Sequence, residues 1–326
     1  MAGQTTQTSR ALREGQSIMM DLIRWGQPQN ALVGILLGLA FGIIARLLML
    51  RTDYRQYPTY PHGRIIHISL GVIAAALGAV AVPALFKKDY TAITFLTLAA
   101  QQFRDVRKME RETLSKIDSM ELVPRGTTYI EGIAMVFEGR NYLVILTALV
   151  TSLTSAGLGL IGGIIAGCLT LILVFKLKSG KMLSHIAEAA VAQVRIDGPD
   201  LFVGDIYMMN VGLSSNQELV AERGIGVILT PFNANGKATL SNLGQRQAIL
   251  FDLATILGVY RDDGEPALVP MAKLDMKDGR LGIFVLPQEL DAEKARVVVQ
   301  RVPILESAVR MPTEASVNKE EGRSNG

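Results

Sequence analysis

The chain of 326 residues is 49% hydrophobic, 19% charged and 6% aromatic, with a net charge of +3 and a mean hydropathy of +0.29. That mean is too high for an ordinary water-soluble chain and too low for one built wholly of membrane spans, so two solvents are expected along a length worth about two domains. One cysteine, Cys168, excludes a disulfide scaffold and a multi-cysteine zinc site; three histidines leave little for a metal centre, and the small net charge excludes a broad nucleic-acid-binding face.

Residues 1–29 read as a polar arm carrying Arg10, Arg13 and Arg24, longer than the charged start of a signal peptide, so the span that follows is expected to stay as an anchor. That span is 31–50, since about 20 apolar residues cross a hydrocarbon core. Its one charge, Arg46, lies near the end and is expected to reach the headgroups. Loop 51–64 follows. Tyr54, Tyr57 and Tyr60 suit a membrane interface, and Pro58 and Pro61 stiffen the backbone. The loop is either a recognition element with Asp53, Arg55 and His62 as polar contacts or a stiff connector with an aromatic belt. A second span, Ile65–Phe86, stops at Lys87 and Lys88.

Ala92–Ala100 is apolar but too short to cross alone. It runs into Gln101–Met120, where Phe103, Val106, Met109, Leu114, Ile117 and Met120 recur at helical spacing among charges, an amphipathic pattern. Pro124 and Gly126 end that helix. Thr128 and Glu131 then have the spacing of a capping box, and Ile130, Ile133, Ala134 and Phe137 form an apolar stripe. Capping is the simpler role for Glu131; a proton- or cation-coupling carboxylate in the membrane is the alternative.

Tyr142–Phe175 has no charged side chain over 34 residues, about 51 Å of straight helix and too long for one span. Ser152, Ser155, Gly157 and Gly159 favour a hairpin; the other reading is an interfacial helix leading into one span over 154–175. The membrane domain 30–183, with its amphipathic segment 101–141, therefore has about four spans, or three plus an interfacial helix.

Lysines and arginines set the orientation. Segment 87–141 carries nine, and the arm, loop 51–64 and segment 176–181 carry three each. This predicts 87–141 and the N-terminus inside, the loop outside and, with a hairpin, the C-terminal domain in the cytoplasm. Gly34, Gly38 and Gly42 in the first span, and Gly159, Gly163 and Gly167 in the last run, recur every four residues. Such glycine ladders allow close helix approach within a bundle or a homo-oligomer. The string Gly157–Gly162 matches a dinucleotide fingerprint in letters alone, because no strand or aqueous pyrophosphate site belongs in an apolar run.

From residue 184 to 311 the pattern is that of a soluble α+β domain. Strands are expected at Gln193–Ile196, Leu201–Val203, Ile206–Val211, Gly226–Thr230, Leu268–Leu274 and Leu281–Val285. One helix is expected over Leu240–Leu257 and another starting after Asp291 and closing before Pro303; 312–326 reads as a disordered tail. Gly236-Lys237 fails the phosphate-loop pattern. Asp262, Asp263 and Glu265 are explained by turn chemistry, and Cys168 reads as a small buried hydrophobe. No nucleophile–base set, cofactor site or metal site is legible.

The segment Tyr129-Ile-Glu-Gly-Ile-Ala134 resembles the signature of the bacterial YIEGIA family, as do Leu50–Gly63 and Thr94–Arg111; the similarity covers about residues 30–310. The resemblance implies a multispanning membrane protein of endospore-forming bacteria with a role in sporulation, in building the spore envelope. It brings no catalytic residues. Tyr129, Glu131 and Gly132 are the candidate functional motif. The expected function is a non-enzymatic membrane scaffold, acting from the mother cell, with the lipid bilayer and a protein or a second copy as partners. The alternative is a small-solute or ion transporter using an intramembrane acid.

Overall fold

Long apolar runs, each ended by a polar break, produce the helices of the first half. The computed structural model describes residues 28–53, 61–177, 180–262, 265–266 and 268–315. The chain divides into two units, Met1–Arg107 with Phe137–Lys178, and Lys108–Val136 with Ser179–Gly326. The border differs from the one read at 183/184, because residues 108–136 belong with the C-terminal body.

The first unit contains α1 (Pro28–Asp53), α2 (Pro61–Phe86), α3 (Tyr90–Arg104) and most of α5 (Thr127–Leu177). Three helices are long and apolar enough to cross a membrane: Ala31–Leu50, Gly63–Phe86 and Thr127–Leu177. They turn large apolar side chains outward, among them Leu36, Ile73, Ile161 and Phe175, as helices apolar on every face do in lipid. Small residues face inward. A methyl group added at Gly42 would come 2.6 Å from the Ala75 Cβ, and one at Gly38 would come 2.6 Å from the Ala148 carbonyl oxygen. The Ser152 hydroxyl donates to the Ala79 carbonyl at 2.9 Å.

These contacts fix directions. α1 runs antiparallel to α2, with Gly38 at Ala79 and Gly42 at Ala75. The first arm of α5 runs parallel to α2, with Phe137 at His67 and Ser152 at Ala79. At Gly159 the backbone takes φ 74 and ψ −171, a left-handed value that glycine adopts freely. Beyond it, Gly167 meets Phe41, next to the Gly42 that meets Ala148. A straight helix would separate residues 148 and 167 by about 28 Å; α5 therefore reverses at Gly159. α3 begins where the Asp89 carboxylate caps Ala92 at 3.0 Å and returns along α2, so that Arg107 reaches Glu138 at 3.7 Å. One end of this unit carries Asp53, Pro61, Arg107 and Phe137. The other carries Pro28, Lys87, Lys88 and Gly159.

Three expectations change here. Arg46 does not reach outward; it is 1% exposed, donating to the His67 carbonyl at 3.3 Å and lying 4.9 Å from the Phe137 ring, in space that Gly71 leaves open. The expected 101–120 helix is two, α3 and α4 (Val106–Asp118), which bury Phe103, Val106 and Leu114 but leave Met109 exposed; Met120, also exposed, lies beyond the end of α4. Cys168 is exposed rather than buried.

In the second unit a four-stranded antiparallel sheet has the order β1 (Ala187–Ala192), β5 (Ile225–Pro231), β9 (Leu281–Val285), β8 (Met271–Leu274). All five residues of β9 are buried, as expected for a strand covered on both faces. A meander of β2 (Val194–Asp197), β3 (Asp200–Val203) and β4 (Ile206–Asn210) encloses a core of Leu201, Val203, Ile206, Met208 and Phe284. The ribbon β6 (Arg261–Asp262)–β7 (Glu265–Pro266) pairs Asp262 with Glu265; Asp263 lies outside the described residues.

Helix α6 (Ser214–Arg223), which the hydrophobic spacing did not indicate, precedes β5. The single helix expected over 240–257 is α7 (Ala234–Leu240) and α8 (Leu243–Leu257), because Asn242 interrupts it and caps α8 by accepting from the Gln245 amide at 3.1 Å. Asp291 caps α9 (Ala292–Arg301) through the Lys294 amide at 2.8 Å. The tail begins as a 3-10 turn at Pro312–Glu314, where Thr313 bonds to Asn235.

Candidate functional site

The Tyr129–Ala134 segment opens α5 within the second unit, and its setting is prepared by the turn before it. Asp118, at the end of α4, accepts from the backbone amides of Arg125 at 2.6 Å and Gly126 at 3.1 Å. This turns the chain sharply, and Gly126 supplies the left-handed φ of +82 the bend requires. The Arg125 guanidinium is buried, 3.7 Å from Asp118 and 3.6 Å from Glu121, and lies 3.9 Å over the Phe251 ring of α8. Nearby, burial pushes the Asp252 carboxyl up to about 7, with Arg125 acting in the opposite direction.

Five of the six residues of the segment are engaged in packing. Tyr129 is buried edge-on to Phe251, and its amide donates to the Gln247 side-chain oxygen at 3.1 Å. That oxygen satisfies a first-turn donor of the kind left open at every helix start. It replaces the expected capping box: α5 starts at Thr127, so Thr128 lies inside the first turn. Ile130, Ile133 and Ala134 are buried, and a methyl on Gly132 would fall 2.5 Å from the Ser307 hydroxyl oxygen. Gln245, fully buried, ties the other side by donating to the Pro303 carbonyl at 3.1 Å and accepting from the Leu305 amide at 2.8 Å.

Glu131 is the exception. It enters a polar groove of about 550 Å³ with Arg111, Thr127, Thr128, Asn242 and Ser307 on its walls. Its carboxylate lies 3.6 Å from Arg111, and its side chain is 37% exposed. Glu131 thus belongs to the second unit as an ion-paired groove residue. The groove offers hydroxyls, an amide, one cation and one anion, a set suited to hydrogen-bonded recognition. Among the described residues no group of three or more His, Cys, Asp or Glu is arranged to hold a metal ion.

The other expected residues fall as follows. Asp53 ends α1 and His62 lies in the first turn of α2, while Tyr54, Arg55, Tyr57 and Tyr60 lie outside the described residues. Gly34, Gly38 and Gly42 face Ser152, Ala148 and Ala75 of the same chain; Gly163 faces Ser155, and Gly167 faces Phe41. The contacts that the spacing did not indicate are Gln247, Phe251 and Ser307. They lie more than 100 positions away from the motif, and no local pattern marks them.

A family model described as YIEGIA protein matches residues 34–315. The chain is 56% identical over 286 residues to a Bacillus subtilis (strain 168) protein called "Uncharacterized protein YphB", covering 88% of this chain and 96% of that protein. No solved structure matches.

Proposed function

Because the chain belongs to the YIEGIA family, we propose that it is a non-enzymatic, multi-pass membrane scaffold of sporulating cells that offers its α+β body to a protein partner during spore-envelope assembly. The observation that carries this reading is the use of the signature: Tyr129, Ile130, Gly132, Ile133 and Ala134 seat the body, and Glu131 opens a recognition groove. The resemblance to a family of endospore formers supports the sporulation part.

Charge distribution supports a cytoplasmic body. Of the nine basic residues in 87–141, Lys87 and Lys88 lie at one end of the first unit, Arg104, Arg107 and Arg140 lie toward the end that carries Asp53 and Pro61, and the other four belong to the second unit. The basic excess therefore gathers where the chain leaves for the body, favouring that end as the inner one. In this reading both arms of α5 cross, α3 carries the chain back to the inner end although its 15 residues are fewer than a span needs, and the N-terminal arm is outside and loop 51–64 inside, the reverse of the orientation expected for those two segments. Deleting the gene in a spore former is expected to disturb envelope assembly, and Glu131→Lys is expected to reproduce the defect with normal protein levels. Normal envelopes in both strains would refute the proposal.

A second reading, transport, draws on one observation. The hydroxyl oxygens of Thr151 and Ser155 and the side-chain oxygen of Asn141 are buried on the first arm of α5 without hydrogen-bond partners among the described residues. Ion flux in vesicles that is lost in Thr151→Val with Ser155→Ala would favour it.

A further inference from the structure

Between α2, α3 and the first arm of α5 lies an apolar groove of about 360 Å³, walled by Leu77, Ala81, Leu85, Ile93, Ala100 and Tyr142. Its volume is within the roughly 300–1,000 Å³ of small-molecule sites. Helix α3 also exposes Phe95 and Leu98, so both the groove and the surface beside it are apolar. The Thr97 hydroxyl at the groove bonds to the Ile93 carbonyl at 2.8 Å and is thereby masked. Polarity returns at one end, where half-exposed Tyr142 lines the groove and exposed Arg104 follows Phe103 of its wall. The Tyr142 hydroxyl is taken by the Glu138 carboxylate, so the trough ends for a ligand in the Arg104 guanidinium and matches an amphiphile with a long tail and an anionic head.

We propose that this groove holds one acyl chain of an anionic phospholipid, with its phosphate at Arg104. Arg104 and Phe137 mark the end of the unit that the basic excess assigns to the inner leaflet, where anionic headgroups concentrate. The inference rests on the first unit being in lipid, which sedimentation with membranes after alkaline washing tests separately.

The experiment is native mass spectrometry of the full-length protein in mild detergent, offered equal amounts of dioleoyl phosphatidylglycerol and phosphatidylcholine. One retained phosphatidylglycerol is expected. Thr97→Trp and Ala100→Trp, each at an exposed position, should fill the groove and abolish retention while elution and helix content stay unchanged. Arg104→Gln should weaken retention about five-fold, matching the roughly 1 kcal/mol that one basic side chain contributes near an anionic surface. Lys87→Gln with Lys88→Gln should leave it intact. The proposal is overturned by a membrane-bound protein that retains no lipid or both lipids equally. Retention surviving both tryptophans, loss following the lysines instead of Arg104, or a dimer that both tryptophans abolish would overturn it as well.

Discussion

Each unit buries an arginine against a phenylalanine, and the two sites differ in what else is present. Arg125, in the second unit, has the carboxylates of Asp118 and Glu121 beside it and Phe251 beneath it. Arg46, in the first, meets a backbone carbonyl from His67 and the face of Phe137. A water-facing body brings carboxylates to a buried cation. In the first unit a carbonyl dipole and a π face lie among the groups that surround the cation.

The comparison breaks most sharply at close helix contacts. Gly38→Leu drives a side chain into the Ala148 carbonyl, and loss of folded, detergent-extractable protein is expected, read by size-exclusion elution. In the second unit Arg125→Met leaves Asp118 buried with less compensation and is expected to cost about 3 kcal/mol, in the range for breaking a buried pair. Thermal unfolding followed by a fluorophore on the body measures it. Gln245→Ala removes two hydrogen bonds from a fully buried side chain and should cost about 2 kcal/mol in the same assay.

The pH dependence of Asp252 gives a smaller effect with a definite sign. The folded carboxyl keeps its proton up to about 7, whereas the unfolded one releases it in the usual carboxylate range. The folded state binds more protons between those two values, so stability falls as pH rises through that window and the penalty is complete above about 7. Asp252→Asn is expected to raise the melting temperature at pH 8 and to leave it nearly unchanged at pH 4. Equal shifts at both values would show that the carboxyl does not titrate as described. Asn242→Ala, removing a helix cap, is expected to cost about 1 kcal/mol.

Much of this was legible in the sequence. Apolar runs marked α1 and α2, and Gly159 stood among the small residues expected to turn the last run. Asp291 capped its helix. Strand β1, Ala-Glu-Ala-Ala-Val-Ala, was not legible, because its composition favours helix and only pairing along β5 makes it a strand. The membership of residues 108–136 was also hidden. An amphipathic stripe states that one face is buried and is silent about what covers it. For the candidate site, the motif was visible in its letters, but the groove around Glu131 needs Asn242 and Ser307, which no local spacing connects to it.

The bend held by Asp118 has a consequence for synthesis. Its ligands, the amides of Arg125 and Gly126, emerge seven and eight residues after it, so α4 and the start of α5 can close on each other as soon as they leave the ribosome. Gln247, which accepts from the Tyr129 amide, arrives 118 residues later. For that interval Tyr129, Ile130 and Ile133 form a ready but uncovered socket, and a nascent chain stalled before Gln247 would present it to whatever chaperone or neighbour is at hand.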